Sequence, residues 1–191
     1  MANDNATPLV SAFDPRSDLP GALGEWRALL GSSNVLVDDQ ALTHYSRTTS
    51  SSSRRPAAIL KPGTRDEVVQ LVSIARRCRT PLYPLSTGQN WGYGDACAVY
   101  DGQVIVDLGR MNRIEHVDSA LGYAVIEPGV TQGQLSRHLA EQGVPYWIDC
   151  TGSGPNSSLI GNILERGFGH SPYGNRFQSF SGMEVVLGSG E

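Results

Sequence analysis

The residues of this chain with the best prospect of chemistry lie in three glycine-rich segments, and what they offer is the holding of an anion rather than the breaking of a bond. The first, PLSTGQNWGYG, runs through Pro84, Leu85, Ser86, Thr87, Gly88, Gln89, Asn90, Gly92 and Gly94, an apolar run giving way to small and hydroxylated residues. Such a turn can aim successive backbone N–H groups at one spot, a nest suited to a pyrophosphate. The hydroxyls of Ser86 and Thr87 and the amide of Asn90 can add hydrogen bonds. A roomy surface turn has the same composition. In the second, IEPGVTQGQL, residues Glu127, Pro128, Gly129 and Val130 break a strand just before a capped helix. A helix N-terminus favours an anion, so this is a second phosphate candidate, although a plain strand-to-helix connection reads the same way.

The third segment, TGSGPNSSLIGN continuing as ILERGFGHSPYGNRF, supplies Ser153, Pro155, Ser158, Gly161, Asn162, Arg166, Gly167, Gly169, His170, Tyr173 and Gly174. Gly152-Ser153-Gly154 invites a dinucleotide fingerprint, but Ser157 stands where its third glycine belongs. Arg176, with no acid close by, stands where the ribose-binding acid is wanted about 20 residues on. No catalytic group emerges. His44, His116, His138 and His170 are isolated, and only His170 falls within a glycine-rich run. Cys78, Cys97 and Cys150 lack CxxC spacing and read as reduced structural thiols, with no metal site. Asp149 beside Cys150 reads as an ordinary loop, because no histidine with an evident role accompanies the pair.

These segments need a scaffold that can present them, and the rest of the chain supplies alternating strands and helices. Leu23, Trp26, Leu29 and Leu30 share one face of a helix from Leu19 to Leu30, closed by Gly31. Thr48–Arg55 is a polar surface loop, and Met1 to about Arg16 a loose arm. Ala57–Lys61 reads as a strand. Thr64 with Glu67 makes a capping box for the helix after it, in which Arg76, Arg77 and Arg79 answer the negative C-terminal end. Strands follow at Leu82–Leu85, Val104–Asp107, Ile114–Val117 and Tyr123–Ile126. Thr131 with Gln134 caps a helix through Glu141, ended by Gly143. The pattern predicts an α/β (α+β) fold with a mixed sheet.

Composition limits the partners. Charged residues make up 18% and the formal net charge is −4, so neither nucleic acid nor an anionic membrane is indicated. No apolar run approaches a membrane span, and MANDNATP has no secretory pattern, so the expected compartment is the cytoplasm. Met183–Leu187 reads as a strand and Gly188–Gly190 as its turn, with the hairpin partner absent. The chain is therefore expected to be cut short on its C-terminal side, and on its own to be aggregation-prone.

Four segments in order, AAILKPGTRDEVVQLV, PLSTGQNWGYG, EPGVTQGQL and GNILERGFGHSPYGNRFQSFSGMEVVLGSGE, resemble the vanillyl-alcohol oxidase and p-cresol methylhydroxylase family of flavoproteins. The resemblance covers roughly residues 55–191, and the last segment is closest to the aromatic-alcohol and alkylphenol branch. It implies a two-lobed FAD-binding domain at 55–191, incomplete because the substrate domain is absent, preceded by an arm and helices at 1–54. Pro84–Gly94 would then wrap the FAD pyrophosphate, and Glu127 to Val130 would line the adenine and ribose side. Ser153–Asn162 and Arg166–Gly174 would follow the ribityl chain and ring.

The implied activity is an FAD-dependent oxidase or dehydrogenase taking hydride from a para-substituted phenol or aromatic alcohol. The substrate would be held by the absent domain, and this chain alone would be inactive. Electrons would pass to oxygen or to an acceptor protein, and a homo-oligomer is compatible with the family. Two departures matter. Gln89 stands where some relatives carry a flavin-linking histidine, so attachment through this loop is excluded and FAD is expected to bind non-covalently here. A link through the absent domain stays open. Asn156 stands in the stretch where some relatives carry an acid near flavin N5, and a neutral amide cannot serve as a base. The alternatives are a branch oxidising 2-hydroxy acids or sugar lactones, and a truncated non-catalytic flavin-binding module.

Overall fold

The computed structural model describes residues 14, 16–91, 94–149, 153–169, 171–172 and 174–191. Its first lobe is a mixed four-stranded sheet in the order β1-β2-β4-β3. The strands are β1 (Val35–Leu36), β2 (Ala58–Leu60), β3 (Leu82–Leu85) and β4 (Val104–Asp107). β4 lies between β2 and β3 and is parallel to both, while β1 joins antiparallel at the edge. The central strands are apolar almost throughout because both faces are covered. Ala58, Ile59, Leu60, Val104 and Ile105 have no exposure. Pro84, which has no N–H for a ladder, is tolerated because β3 is an edge strand.

Helices α1 (Leu19–Leu30) and α3 (Arg65–Arg77) cover one face of this sheet, and α2 (Asp39–Tyr45) covers the other. The apolar stripe of α1 places Ala22, Trp26 and Leu30 in the core, and the Trp26 indole N–H donates to the Leu71 carbonyl at 3.2 Å. Asp18 caps α1 by accepting from the Gly21 amide, so helix bounds and stripe agree with the sequence. Thr64 caps α3 by accepting from the Glu67 amide at 3.2 Å, but the Glu67 carboxylate accepts from Gly63, one residue before the expected position. Arg76 and Arg77 end α3, and Arg77 pairs with Glu25 of α1. Arg79 lies beyond the helix, with φ 51°.

The second lobe pairs β5 (Ile114–Asp118) with β6 (Tyr123–Ile126) antiparallel, and α4 (Gln132–Glu141) packs over them. Val130, Leu135 and Leu139 form its core with Ile114, Val117, Ala124 and Ile126. Thr131 caps α4 as expected, while the Gln134 side chain reaches the Asn112 carbonyl instead of completing the box. Gly143, at φ 66°, ends the element in the left-handed region that favours glycine.

Several elements escape the sequence pattern: β1, α2 and the six-residue α5 (Leu159–Leu164), which are too short for periodicity to show. The Thr48–Arg55 loop forms neither helix nor strand. Its Thr49 and Arg54 amides donate to Asp95 and to Cys97 Sγ.

One expectation is overturned. Met183–Leu187 is not a strand, because no neighbouring backbone supplies its ladder bonds. The segment lies along α3, held by the Arg65–Glu184 ion pair and by the Arg76 guanidinium donating to the Ser189 carbonyl. The turn at its end does form, closed by Gly190 N–H to the Leu187 carbonyl at 2.8 Å.

Candidate functional site

All three glycine-rich segments meet at one backbone carbonyl. The Ser86 hydroxyl, at the end of β3, donates to the Pro128 carbonyl, and the Ser158 hydroxyl donates to the same oxygen at 3.4 Å. Ser158 also caps α5, accepting from the Gly161 amide at 2.9 Å. The meeting point lies beyond the carboxyl ends of the parallel strands, where ligands of open α/β sheets bind.

Backbone packs on backbone here with no room for side chains. A Cβ on Gly129 would lie 2.6 Å from the Leu108 carbonyl oxygen and 2.7 Å from that of Met111. Gly129 accordingly donates its N–H to Met111 at 2.7 Å. Gly88 needs its glycine twice over: φ is +67°, and a Cβ would sit 2.8 Å from the Ala96 side chain.

The start of α4 is closed rather than open to a ligand. Gln132 and Gly133 donate to the Ser157 and Pro155 carbonyls at 3.0 and 2.8 Å, and Gln134 donates to Thr131 Oγ1. A Thr131–Ser158 bridge lays the third segment across this helix start. Val130 is fully buried in the second core, so it faces its neighbours through backbone alone. The Glu127 carboxylate is held by Arg113: Nη2 donates to Oε1 at 2.7 Å and the Arg113 amide to Oε2 at 2.7 Å. Burial works to raise the Glu127 pKa, but the Arg113 hydrogen bonds and charge prevail and hold it below the ordinary value.

The scaffold adds a buried polar group that sequence reading did not find. Asp107, at the carboxyl end of β4, accepts from the Tyr45 hydroxyl and from the Gly109 amide at 2.8 Å, with Lys61 Nζ at 3.8 Å. Burial first, then the hydrogen bond and charge of Asp107, push the Tyr45 phenol well above its ordinary range. Leu85 pairs with Asp107 across the sheet, so this cluster anchors the strand ends from which the first loop springs. Tyr45 sits on the short α2 and Asp107 at a strand end, and spacing alone could not bring them together.

Farther along, Arg176 is buried at 8% exposure and reaches three places in the third segment. Its Nε donates to the Asp149 carbonyl at 2.9 Å, and its Nη1 to the Phe168 carbonyl at 2.9 Å and to Asn162 Oδ1 at 3.2 Å. Asp149 also pairs with it through its carboxylate at 3.4 Å. Sequence reading met Arg176 only as the wrong residue for a dinucleotide fingerprint, and met Asp149 as an ordinary loop residue. Arg166, at φ 53°, lays its guanidinium 5.0 Å from the centroid of the Phe177 ring. Gly169 donates to the Gly174 carbonyl at 2.9 Å. Gly92, His170 and Tyr173 lie outside the described residues.

The donor chemistry of the first loop fits a phosphate-bearing cofactor. Pro84–Gly94 contains no lysine or arginine, so an anion there must be met by amides and hydroxyls. Thr87 Oγ1 is buried with no hydrogen-bond partner among the described residues, an orphan that a bound acceptor would satisfy. Among the described residues, no group of His, Cys, Asp or Glu could hold a metal ion, and no helix is long and apolar enough to cross a membrane.

Comparison with known proteins agrees with this geometry. Residues 56–191 match the family described as FAD binding domain. The chain is 42% identical over 173 residues to 1'-carboxy-chondrochloren decarboxylase of Chondromyces crocatus, covering 91% of this chain and 32% of that protein. It is 38% identical over 173 residues to the 4-cresol dehydrogenase [hydroxylating] flavoprotein subunit of Pseudomonas putida, covering 89% of this chain and 33% of that one. Among solved structures, p-cresol methylhydroxylase with substrate bound superposes with a TM-score of 0.85 at 38% identity, over 89% of this chain and 34% of that chain. The fold and the site thus define an FAD-binding domain of mixed α/β architecture. The chain belongs to the vanillyl-alcohol oxidase and p-cresol methylhydroxylase family of FAD-dependent oxidoreductases. It spans about a third of the length of the relatives it matches.

Proposed function

We propose that this chain holds FAD non-covalently for an enzyme that takes hydride from a C–H of a para-substituted phenol or aromatic alcohol. The observation that carries the reading is the convergence of Ser86, Pro128 and Ser158 beside the orphaned Thr87 hydroxyl. Residues 84–90 and Gly94 hold the pyrophosphate through amides and hydroxyls, and residues 127–130 border the adenine side through backbone. Ser153, Pro155, Ser158, Gly161, Asn162, Arg166, Gly167, Gly169 and Gly174 flank the ribityl chain and ring. When bound, FAD supplies the two-electron acceptor on which the redox chemistry occurs.

The protein's part is to hold and orient that acceptor. Loop amides face the diphosphate without lysines, and Gln89 leaves the loop without a nucleophile for a covalent link. The relatives favour an aromatic substrate: one is named for 4-cresol and another structure for p-cresol. The relative named a decarboxylase shows that the same domain also serves a differently named reaction, so the bond broken is set by the whole protein. The relative described as a flavoprotein subunit supports a partner protein as electron acceptor, with oxygen as the rival. The remainder of the enzyme, which this chain does not include, closes over the substrate.

Acid precipitation of the FAD-loaded protein tests the attachment: all flavin should appear in the supernatant. Flavin carried down with the protein would contradict the role given to Gln89. Steady-state assays of the whole enzyme with 4-alkylphenols against 2-hydroxy acids test the substrate class. Turnover of the hydroxy acids alone would sink the phenol assignment.

A further inference from the structure

We infer that Arg176 is a positioning residue that sets the flavin-ring side of the cradle before any cofactor arrives, a step that rests on the FAD reading above. The third segment has little apolar burial with which to order itself. Its helix α5 has no buried residue, and Leu164 and Phe168 are 52% and 71% exposed. A backbone without a hydrophobic core must be held by polar cross-links. One guanidinium provides them, bonding the Asp149 carbonyl, the Phe168 carbonyl and the Asn162 side chain, so that stretches far apart in sequence share a single anchor.

The neighbouring glycines are shaped to this lock. A Cβ on Gly169 would stand 2.4 Å from Asp149 Oδ2 and 2.7 Å from Arg176 Nη2. A Cβ on Gly167 would stand 2.2 Å from the Asn162 amide, which Arg176 holds in place. The charge itself is matched by Asp149, as a buried cation requires. A planar fork is essential to the arrangement, because the acceptors lie in different directions from one centre. A lysine keeps the charge but offers a single point of donation. Arg176 therefore acts through Asn162, Phe168 and Asp149 rather than by touching the cofactor.

The test uses the full chain with Arg176→Lys, Arg176→Gln and Gly169→Ala, first without FAD. Hydrogen exchange should be faster by about tenfold or more at Gly167, Gly169 and Gly174 in all three variants. These amides donate to Asn162, Gly174 and Ser171 at 2.7, 2.9 and 3.1 Å. Exchange in β2 and β4 should be unchanged. Unaltered exchange at the three glycines, or equal acceleration throughout the sheet, would overturn the positioning role. With FAD added, Arg176→Lys should bind about tenfold more weakly, as the loss of a net hydrogen bond or two implies. It should also lose the fine structure of the bound-flavin absorbance band. Wild-type affinity and spectrum in that variant would contradict the assignment to the flavin side. A wild-type chain that takes up no FAD would refute the FAD reading, while the exchange result would still decide whether Arg176 is the lock.

Discussion

The first lobe and the glycine-rich third segment are held together by different physics. Around the mixed sheet, Trp26, Ile59, Leu60, Leu71, Val104 and Ile105 are fully buried, and burial of this kind is non-directional and tolerant of small shifts. Between Asp149 and Arg176 the chain is ordered by a buried guanidinium, serine caps and glycines that admit other groups at contact distance. The lesson is a division of labour. The scaffold resists change through apolar area, whereas the cradle depends on a few directional bonds and on side chains that are absent. Substitutions should therefore lower global stability in the first region, and ligand affinity ahead of stability in the second.

The largest expected effect is on the scaffold side. Trp26→Ala removes a fully buried indole and its bond to Leu71, and should cost about 3–5 kcal/mol in urea unfolding. A cost under ~1 kcal/mol would mean that α1 is not part of the core. Next comes Gly129→Ala, whose new methyl meets only backbone. It should cost about 1–3 kcal/mol and weaken FAD binding as the Pro128 carbonyl is displaced. Stability loss with unchanged affinity would separate this turn from the cofactor site.

Thr87→Val sharpens the comparison further, because it deletes an orphaned hydroxyl at nearly constant volume. The free protein should lose no stability, while FAD affinity falls about tenfold by fluorescence titration. Tyr45→Phe should cost about 1 kcal/mol in thermal unfolding, since Asp107 keeps the Gly109 amide and Lys61.

The smallest effect is a pH dependence. The folded Glu127 pKa lies below its ordinary value of 4.5, so its pairing with Arg113 stabilises the fold above that pH. That contribution is lost as pH falls through the lowered folded pKa. The stability gap between wild type and Glu127→Gln should close on acidification. A gap that widens in acid would reverse the sign assigned here.

The same division explains how much could be read from sequence. Where apolar periodicity runs over several turns, as in α1 and α3, or marks a buried strand, as in β4, the elements fall where the pattern places them. The capping threonines Thr64 and Thr131 were equally legible, although the reciprocal bonds from Glu67 and Gln134 go elsewhere. Met183–Leu187 has strand composition without strand neighbours, and pairing is a non-local property that composition does not record. Of the candidate site, the glycine-rich loops were visible because glycine marks close approach. Their convergence on Pro128 was not visible, since it joins residues 42 and 30 positions apart. Asp107 with Tyr45, and Arg176 with Asp149, were missed for the same reason: each acts through partners distant in sequence, and neither forms a motif.

The most direct test of the central claim is an absorbance spectrum of the purified chain after mixing with FAD and desalting. Retained flavin bands with altered fluorescence, released entirely by acid, are the predicted result and would place the cofactor on these residues. A colourless protein that also fails to change FAD fluorescence at saturating concentration would contradict the account.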